Sequence, residues 1–204
     1  MSQKGLFNIL IVLFMIVTFP VMANASAVAN ADVKELIVKH SMEMGMDPAL
    51  ALSIAKKESN FRHSSRSKYG AIGVFQLMPN TAKRMGYNPY HLNDNIKGGI
   101  TYYKMMYKMF GKIELALAAY NAGPGNVKKY KGIPPFAETK RFVSVIMSNY
   151  KNLKANPDPA MIQYEQTLKD INNKEMNLEF AEQEIAFRQA NEAILKSYLA
   201  NQGI

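Results

Sequence analysis

Apolar residues in the middle of the chain recur at helical spacing and are separated by short polar or glycine-rich stretches. Leu50 and Ile54 lie four residues apart, just after Asp47-Pro48, a capping residue and a proline that favour a helix start. Similar patterns predict further helices over residues 78–86, 96–110, 113–120 and 137–150. Residues 62–73 are rich in Ser, Arg and Gly and predict a loop or small β-hairpin. The expected domain, residues 32–156, is therefore mostly α with one small β element.

A second helical region follows this domain. Asp158-Pro159 repeats the cap-and-proline signal and opens a helical C-terminal extension, residues 158–204. Its apolar residues approach a heptad pattern that Glu175 interrupts: Met161, Tyr164, Leu168, Ile171, Leu178 and Ile185. Two interpretations remain open, an amphipathic helix that folds back on its own domain and a coiled coil that binds a partner.

The N-terminus has the layout of a secretory signal peptide. Lys4 precedes an apolar run, Leu6 to Met22, and small-residue cleavage patterns follow between Ala23 and Ala29. We expect a signal peptide over residues 1–25, cleaved between about 25 and 31, and export to the periplasm, or to the wall of a Gram-positive cell. An uncleaved membrane anchor is the alternative, because the run approaches the length that spans a bilayer. The chain contains no Cys, which excludes a lipoprotein anchor and disulfides.

Charge is divided unevenly along the chain. Residues 32–157 carry 20 basic and 8 acidic groups, a net charge of +12, whereas residues 158–204 carry a net charge of −4. A basic exported domain suits a polyanionic cell-wall polymer or an anionic membrane surface, and export argues against nucleic acid. Charge that serves only solubility is the alternative. His40, His63 and His91 lack metal-ligand spacing, so we expect surface histidines, no metal and no cofactor.

Glu58 occupies an unusual position in the first predicted helix. It continues the apolar series Leu50 and Ile54 at the same spacing, so its carboxyl faces the side on which the core is expected. Burial disfavours the charged form of a carboxyl and raises its pKa. A carboxyl that stays protonated near neutral pH is what a general acid in glycoside cleavage requires. A structural Glu bound by backbone donors is the alternative.

The motifs around Glu58 resemble a known family. Glu58-Ser59-Asn60-Phe61 is followed by a Ser67–Gln76 segment with two glycines, and later by Ala118-Ala119-Tyr120-Asn121-Ala122-Gly123. These blocks resemble the soluble (Slt-like) lytic transglycosylases, which have a lysozyme-like fold and cleave bacterial cell-wall glycan. The resemblance runs from about residue 32 to 150. It departs at Val74-Phe75, where the family has Leu-Met, and at Arg62-His63, where the family has Asn-Pro.

The resemblance implies a reaction and roles for individual residues. Glu58 would protonate the β-1,4 bond between N-acetylmuramic acid and N-acetylglucosamine in peptidoglycan, then act as a base and leave a 1,6-anhydro end. Tyr120 would hydrogen-bond the catalytic carboxyl and orient it. Gln76 would line the sugar subsites, and Ser67 and Asn121 would contact substrate. For these last two, a loop hydrogen bond and a helix C-cap are the respective alternatives.

Other functions remain open at this stage. Asp94, Glu114 and Glu138 are interpreted as a helix cap, a helix-dipole partner and a structural group, so no second carboxylate is assigned as nucleophile. A goose-type hydrolytic lysozyme has the same fold and one dominant Glu. A non-catalytic wall-binding component of a secretion machine belongs to a different class. The C-terminal helix would be the contact to secretion or conjugation machinery.

Overall fold

The structure, a computed structural model, describes residues 30–202, with side chains through residue 189. The predicted signal peptide and its cleavage sites up to residue 29 lie outside the described residues. Between residues 30 and 202, no helix is both long and apolar enough to cross a membrane.

The described chain is mostly helical. An isolated pair of antiparallel bridges, Arg66 with Ile72 and Ile72 with Leu77, forms the small β element. Sequence analysis therefore gave the correct fold class. The helices are α1 (30–43), α2 (Pro48–Ser59), α3 (Pro79–Arg84), α4 (Leu92–Phe110), α5 (Ile113–Ala122), α6 (Pro124–Tyr130), α7 (Ala137–Ala155) and α8 (Pro159–Gln202).

The predicted start of α2 and the predicted end of α4 hold, one at a cap and one before a glycine. The predicted start of α4 at residue 96 and end of α5 at residue 120 are wrong, because these helices begin at Leu92 and end at Ala122. α2 begins at Pro48, and the Asp47 carboxylate accepts a hydrogen bond from the Ala49 amide at 2.9 Å. α4 ends at Phe110, and the capping Gly111 has φ +70°, the left-handed conformation that glycine adopts without strain. α7 continues to Ala155, past the predicted end at Tyr150, because no breaker follows Tyr150.

Two helices were not predicted. The run Gly123-Pro124-Gly125 lies after the helix predicted over 113–120 and outside every predicted helix, but Pro124 is the first residue of α6. Proline favours this position because its fixed φ suits a helix and its missing N–H would have no partner there. α1, over residues 30–43, lies directly after the small-residue stretch that sequence analysis assigned to cleavage.

α5 is the central helix of the domain. It packs against α4, α6 and α7, and α2 packs against α7. Its consecutive residues Ala116 to Ala119 are fully buried, so it is enclosed on all sides rather than amphipathic. Because three of these four buried residues are Ala, neighbouring helices can approach closely, and Tyr120 follows the buried stretch and lines the cleft.

His40 corrects the expectation of surface histidines. It is 6% exposed, and its ring nitrogens lie 2.9 Å from Glu43 Oε2 and 3.0 Å from Asn93 Oδ1. The Glu43 pKa is lowered, first by its hydrogen bond with His40. Burial of this polar ring is tolerated because α1 and α4 supply partners for both nitrogens.

The chain divides into two units, one that ends at Met161 and one that comprises residues 162–204. Near the predicted boundary, the Asp158 carboxylate pairs with the Lys34 ammonium at 2.7 Å, and Ala160 is 7% exposed. These contacts belong to the first unit and lie beyond residue 156. The described part of the second unit is the continuation of α8 beyond Met161, and α8 confirms the helix predicted after Asp158-Pro159.

Candidate active site

Glu58 lies in the last turn of α2, beside the polar cleft of the first unit. The helix ends one residue later, at Ser59, and Asn60 adopts the left-handed conformation with φ +51°. Burial raises the pKa of Glu58 to about 7, the neighbouring Lys57 opposes this rise, and the carboxylate of Glu138 adds to it. A carboxyl with this pKa is partly protonated at neutral pH, which meets the requirement for a general acid.

The cleft has a volume of about 390 Å³. It brings together all five residues that sequence analysis selected, although their chemical roles stay predictions. Those five are Glu58, Ser67, Gln76, Tyr120 and Asn121. They come from α2, from the segment between α2 and α3, and from α5.

Tyr120 is buried, and its hydroxyl donates a 2.8 Å hydrogen bond to the carbonyl of Phe75. The resemblance implied a bond to the Glu58 carboxyl instead, and no such bond occurs among the described residues. Burial and the nearby Glu58 raise the Tyr120 pKa well above 10, so the hydroxyl keeps its proton. In this structure Tyr120 therefore holds the segment that leads to Gln76.

That segment, residues 72–77, is attached to the helices at several points. The buried Asn95 accepts from the Phe75 amide at 2.9 Å and donates to the Ile72 carbonyl at 2.7 Å. The hydroxyl of Ser59 donates to the Val74 carbonyl at 2.9 Å. These bonds satisfy buried backbone groups of a loop and so fix its path along the cleft.

Gln76 adopts a backbone conformation that is unusual for a residue other than glycine, with φ +46°. Its side-chain amide donates to the carbonyls of Gly73 at 2.9 Å and Ser65 at 3.3 Å. Both N–H groups of the side-chain amide already donate hydrogen bonds, so the carbonyl oxygen of Gln76 is the atom that can bind a ligand.

The alternatives for Ser67 and Asn121 are resolved in part. The Ser67 hydroxyl accepts from the amides of Tyr69 at 3.2 Å and Ala71 at 3.0 Å, which is a loop hydrogen bond. Asn121 is not a C-cap, because α5 continues to Ala122 and is capped by Gly123. Its side-chain oxygen accepts from Thr139 at 2.8 Å and joins α5 to α7.

The cleft also contains residues that sequence analysis did not select as site residues. The Tyr102 ring lies 5.1 Å from that of Tyr120, and both line the cleft. Tyr69 could have been found from the sequence, because a large aromatic in a Ser-, Arg- and Gly-rich loop has no core to join. The unselected lining residues include Tyr69, Met78, Thr81, Tyr102 and Glu138. Among residues 30–189, whose side chains the structure describes, no group of three or more potential metal ligands occurs.

Comparison with known families decides the classification. The family model described as the transglycosylase SLT domain matches residues 35–143. The chain belongs to this family. The match includes α2, the segment with Gln76 and the whole of α5, and therefore every residue selected for the site.

Relatives of this SLT domain are longer proteins. A transglycosylase of Enterobacteria phage PRD1 is 31% identical over 62% of this chain and 46% of its own length. The soluble lytic murein transglycosylase of Escherichia coli K12 is 30% identical over 56% of this chain and 22% of its own length. The chain thus spans less than half of these relatives.

Solved structures agree on the fold of the SLT domain. The lytic transglycosylase Slt of Pseudomonas aeruginosa matches with 29% identity and a TM-score of 0.53, over 61% of this chain and 24% of that one. The 70-kDa soluble lytic transglycosylase of Escherichia coli matches with 27% identity and a TM-score of 0.54, over 62% of this chain and 25% of that one.

Proposed function

We propose that this chain is a lytic transglycosylase that cleaves the β-1,4 bond between N-acetylmuramic acid and N-acetylglucosamine in peptidoglycan. The observation that carries the proposal is the Glu58 carboxyl, whose pKa is raised to about 7 in a polar cleft of an SLT domain. Relatives named lytic murein transglycosylases support the substrate class.

Glu58 serves as acid and then as base. Its proton goes to the bridging oxygen, the C1–O bond of the N-acetylmuramic acid breaks, and the substrate's own N-acetyl group stabilises the cationic sugar. The Glu58 carboxylate then takes the proton of the C6 hydroxyl, whose oxygen closes on C1. The products are a 1,6-anhydro end and a free N-acetylglucosamine end, and Glu58 regains its proton.

The surroundings of Glu58 support this cycle. Desolvation favours the protonated carboxyl before the first step, whereas Lys57 favours the carboxylate that the second step needs. Glu138, the other carboxylate in the lining, raises the Glu58 pKa through its charge. We assign Glu138 the role of adjusting the Glu58 pKa, because the anhydro route needs no carboxylate nucleophile.

Mass spectrometry of purified peptidoglycan digested by the full chain tests the reaction. The expected products carry anhydro ends, each lighter by one water than a reducing end. Reducing ends alone would identify a goose-type hydrolase instead. Intact glycan in the presence of folded protein would identify a non-catalytic wall-binding component. Glu58→Gln is the control that separates this protein's products from those of a contaminating enzyme.

We also propose that the protein is exported and acts in the periplasm, with the net charge of +12 over residues 32–157 favouring contact with anionic wall polymer.

The catalytic unit ends after Met161, because Asp158 pairs with Lys34 and Ala160 is buried. A fragment ending at 161 is expected to unfold at a higher temperature than one ending at 156. Equal melting temperatures of the two fragments would show that the unit ends at residue 156, the boundary predicted from the sequence.

The apolar side chains of α8 suggest that the extension binds a partner such as a secretion or conjugation machine. Leu178, Phe180 and Phe187 are 56%, 72% and 68% exposed. Deletion of residues 162–204 is then expected to leave activity on purified peptidoglycan unchanged while cellular function is lost. Full cellular function of the deletion variant would contradict this role.

A further inference from the structure

Tyr69 is the most exposed aromatic residue described in the first unit. Its side chain is 72% exposed, and it lies in the lining of the cleft that contains Glu58. Burial of an aromatic side chain in the core stabilises a fold by roughly 1.5–3 kcal/mol, and the exposed Tyr69 ring contributes little of this free energy. Its exposure at a polar cleft indicates a surface kept available for a ligand.

The turn that carries Tyr69 is held in one conformation. The Ser67 hydroxyl accepts from the amides of Tyr69 and Ala71, and the Gly70 amide donates to the Ser67 carbonyl at 3.0 Å. Gly70 has φ +85°, which glycine adopts readily. A ring on a fixed turn loses little conformational freedom when a ligand binds.

Lys68 restrains the ring as well. Its ammonium lies 4.9 Å from the Tyr69 ring centroid, within the range of a cation–π interaction. The high exposure of the ring shows that this contact leaves most of its surface accessible. Lys68 thus orients the ring and does not bury it.

The chemistry of this surface suits a pyranose sugar. One face of a pyranose presents C–H groups, which pack against an aromatic ring, and its hydroxyl and acetamido groups lie at the edge. The same cleft supplies polar partners for that edge, the carbonyl oxygen of Gln76 and the amide of Asn121. A flat apolar surface next to a few polar groups is the arrangement that binds a sugar on both its apolar face and its polar edge.

We propose that Tyr69 forms a sugar-stacking subsite at the rim of the cleft and packs against one pyranose ring of the glycan. This inference rests on the proposed function, because it assumes that glycan enters the cleft of Glu58. It assigns substrate affinity to a residue for which the resemblance implies no role.

Calorimetric binding of a chitohexaose probe and of purified glycan strands to the full chain tests the subsite in a Glu58→Gln background, where no cleavage occurs. Adding Tyr69→Ala is expected to weaken binding by roughly 3- to 10-fold, the usual range for an aromatic contact. Tyr69→Trp is expected to retain affinity. Because Tyr69 is exposed, the melting temperature is expected to stay unchanged.

Tyr90 provides a matched control. It is 59% exposed and has the Arg66 guanidinium 5.8 Å from its ring centroid, yet it lies outside the lining of the cleft. Tyr90→Ala is therefore expected to leave glycan affinity unchanged. Lys68→Met, which removes the charge and keeps the aliphatic stem, is expected to weaken binding less than Tyr69→Ala.

The outcomes separate the two proposals. If the Glu58→Gln protein binds neither probe, the proposed function fails, and the subsite fails with it. If that protein binds and Tyr69→Ala binds equally well, the subsite alone is refuted. A larger loss from Lys68→Met than from Tyr69→Ala would also refute stacking and assign recognition to charge.

Discussion

The cleft at Glu58 and a second cavity on the first unit differ in size and in chemistry. The second cavity, which we call the apolar groove, has a volume of about 600 Å³ against about 390 Å³ for the cleft. Its lining residues are Met44, Gly45, Met46, Asp47, Leu50, Thr101, Tyr103, Lys104, Met105, Tyr107, Lys108, Ile113 and Tyr150. The larger cavity is thus not the one that contains the candidate site residues.

Asp47 and Lys104, two charged groups in the lining of the apolar groove, have partners inside the protein. The Asp47 carboxylate accepts from Tyr150 at 2.9 Å and from Lys154 at 3.1 Å, and the Lys104 ammonium donates to the Met44 carbonyl. In the cleft, by contrast, Glu58 has a pKa displaced to about 7 by burial. Burial also raises the pKa of Tyr103 and Tyr150 in the apolar groove, but these hydroxyls stay protonated, so a carboxyl that titrates near neutral pH, rather than volume, distinguishes the cleft.

The largest expected effect is the loss of turnover in Glu58→Gln. Glutamine has nearly the same shape as glutamate but has no proton to transfer to the glycosidic oxygen, so cleavage of peptidoglycan is expected to stop. Release of soluble muropeptides measures this loss. Circular dichroism and retained binding to glycan show that the variant is folded. Wild-type turnover by the folded variant would remove Glu58 from the mechanism.

The same substitution is expected to show that ionisation of Glu58 destabilises the folded protein. The Glu58 pKa of about 7 exceeds its ordinary value of 4.5, so the folded state binds more protons between these values. Stability from this group is complete below pH 4.5 and decreases until pH 7. Glu58→Gln should therefore gain up to ~3 kcal/mol relative to wild type between pH 4 and pH 8.

Urea unfolding of both proteins at the two pH values measures this gain. A difference between the proteins that stays constant with pH would show that the Glu58 pKa is not raised.

Sequence analysis selected residues whose positions follow from local motifs, and it failed where distant partners decide the contact. Glu58 and Gln76 flank one segment, so their shared cleft follows from a short stretch of chain. The partner of Tyr120 is the carbonyl of Phe75, 45 positions away in sequence, and side-chain pattern does not encode such a contact. Likewise His40 is buried because Asn93, on another helix, bonds its ring.

Tyr120→Phe tests the role that the structure gives to the hydroxyl. Loss of the 2.8 Å bond leaves the Phe75 carbonyl buried without this donor, which is expected to cost about 1–3 kcal/mol of stability. If the segment with Gln76 shifts, turnover should fall by roughly 10- to 100-fold, most of it in kcat. Thermal unfolding and steady-state kinetics measure the two effects. Loss of turnover without loss of stability would instead favour a direct bond to Glu58 during the reaction.

The charges beside Glu58 are expected to shift its titration in opposite directions. Lys57 lowers and Glu138 raises the Glu58 pKa, so the fall in kcat/KM above pH 7 should move upward in Lys57→Met and downward in Glu138→Gln. pH–rate profiles of the two variants measure this. Movement of both profiles in the same direction would show that the substitutions act through structure and not through charge.

The smallest effect is expected from Tyr107→Leu, and it tests directly whether the two cavities differ in function. Tyr107 and Tyr102 both lie on α4, but Tyr107 lines the apolar groove and Tyr102 lines the cleft. Because Tyr107 is 45% exposed, its replacement should change stability by about 0.5 kcal/mol or less and leave turnover unchanged. Tyr102→Leu, the matched variant, removes a ring that packs 5.1 Å from Tyr120 and should lower turnover. Equal losses of turnover in the two variants would mean that the apolar groove also contributes to the reaction, and the separation drawn from the chemistry of the two cavities would be wrong.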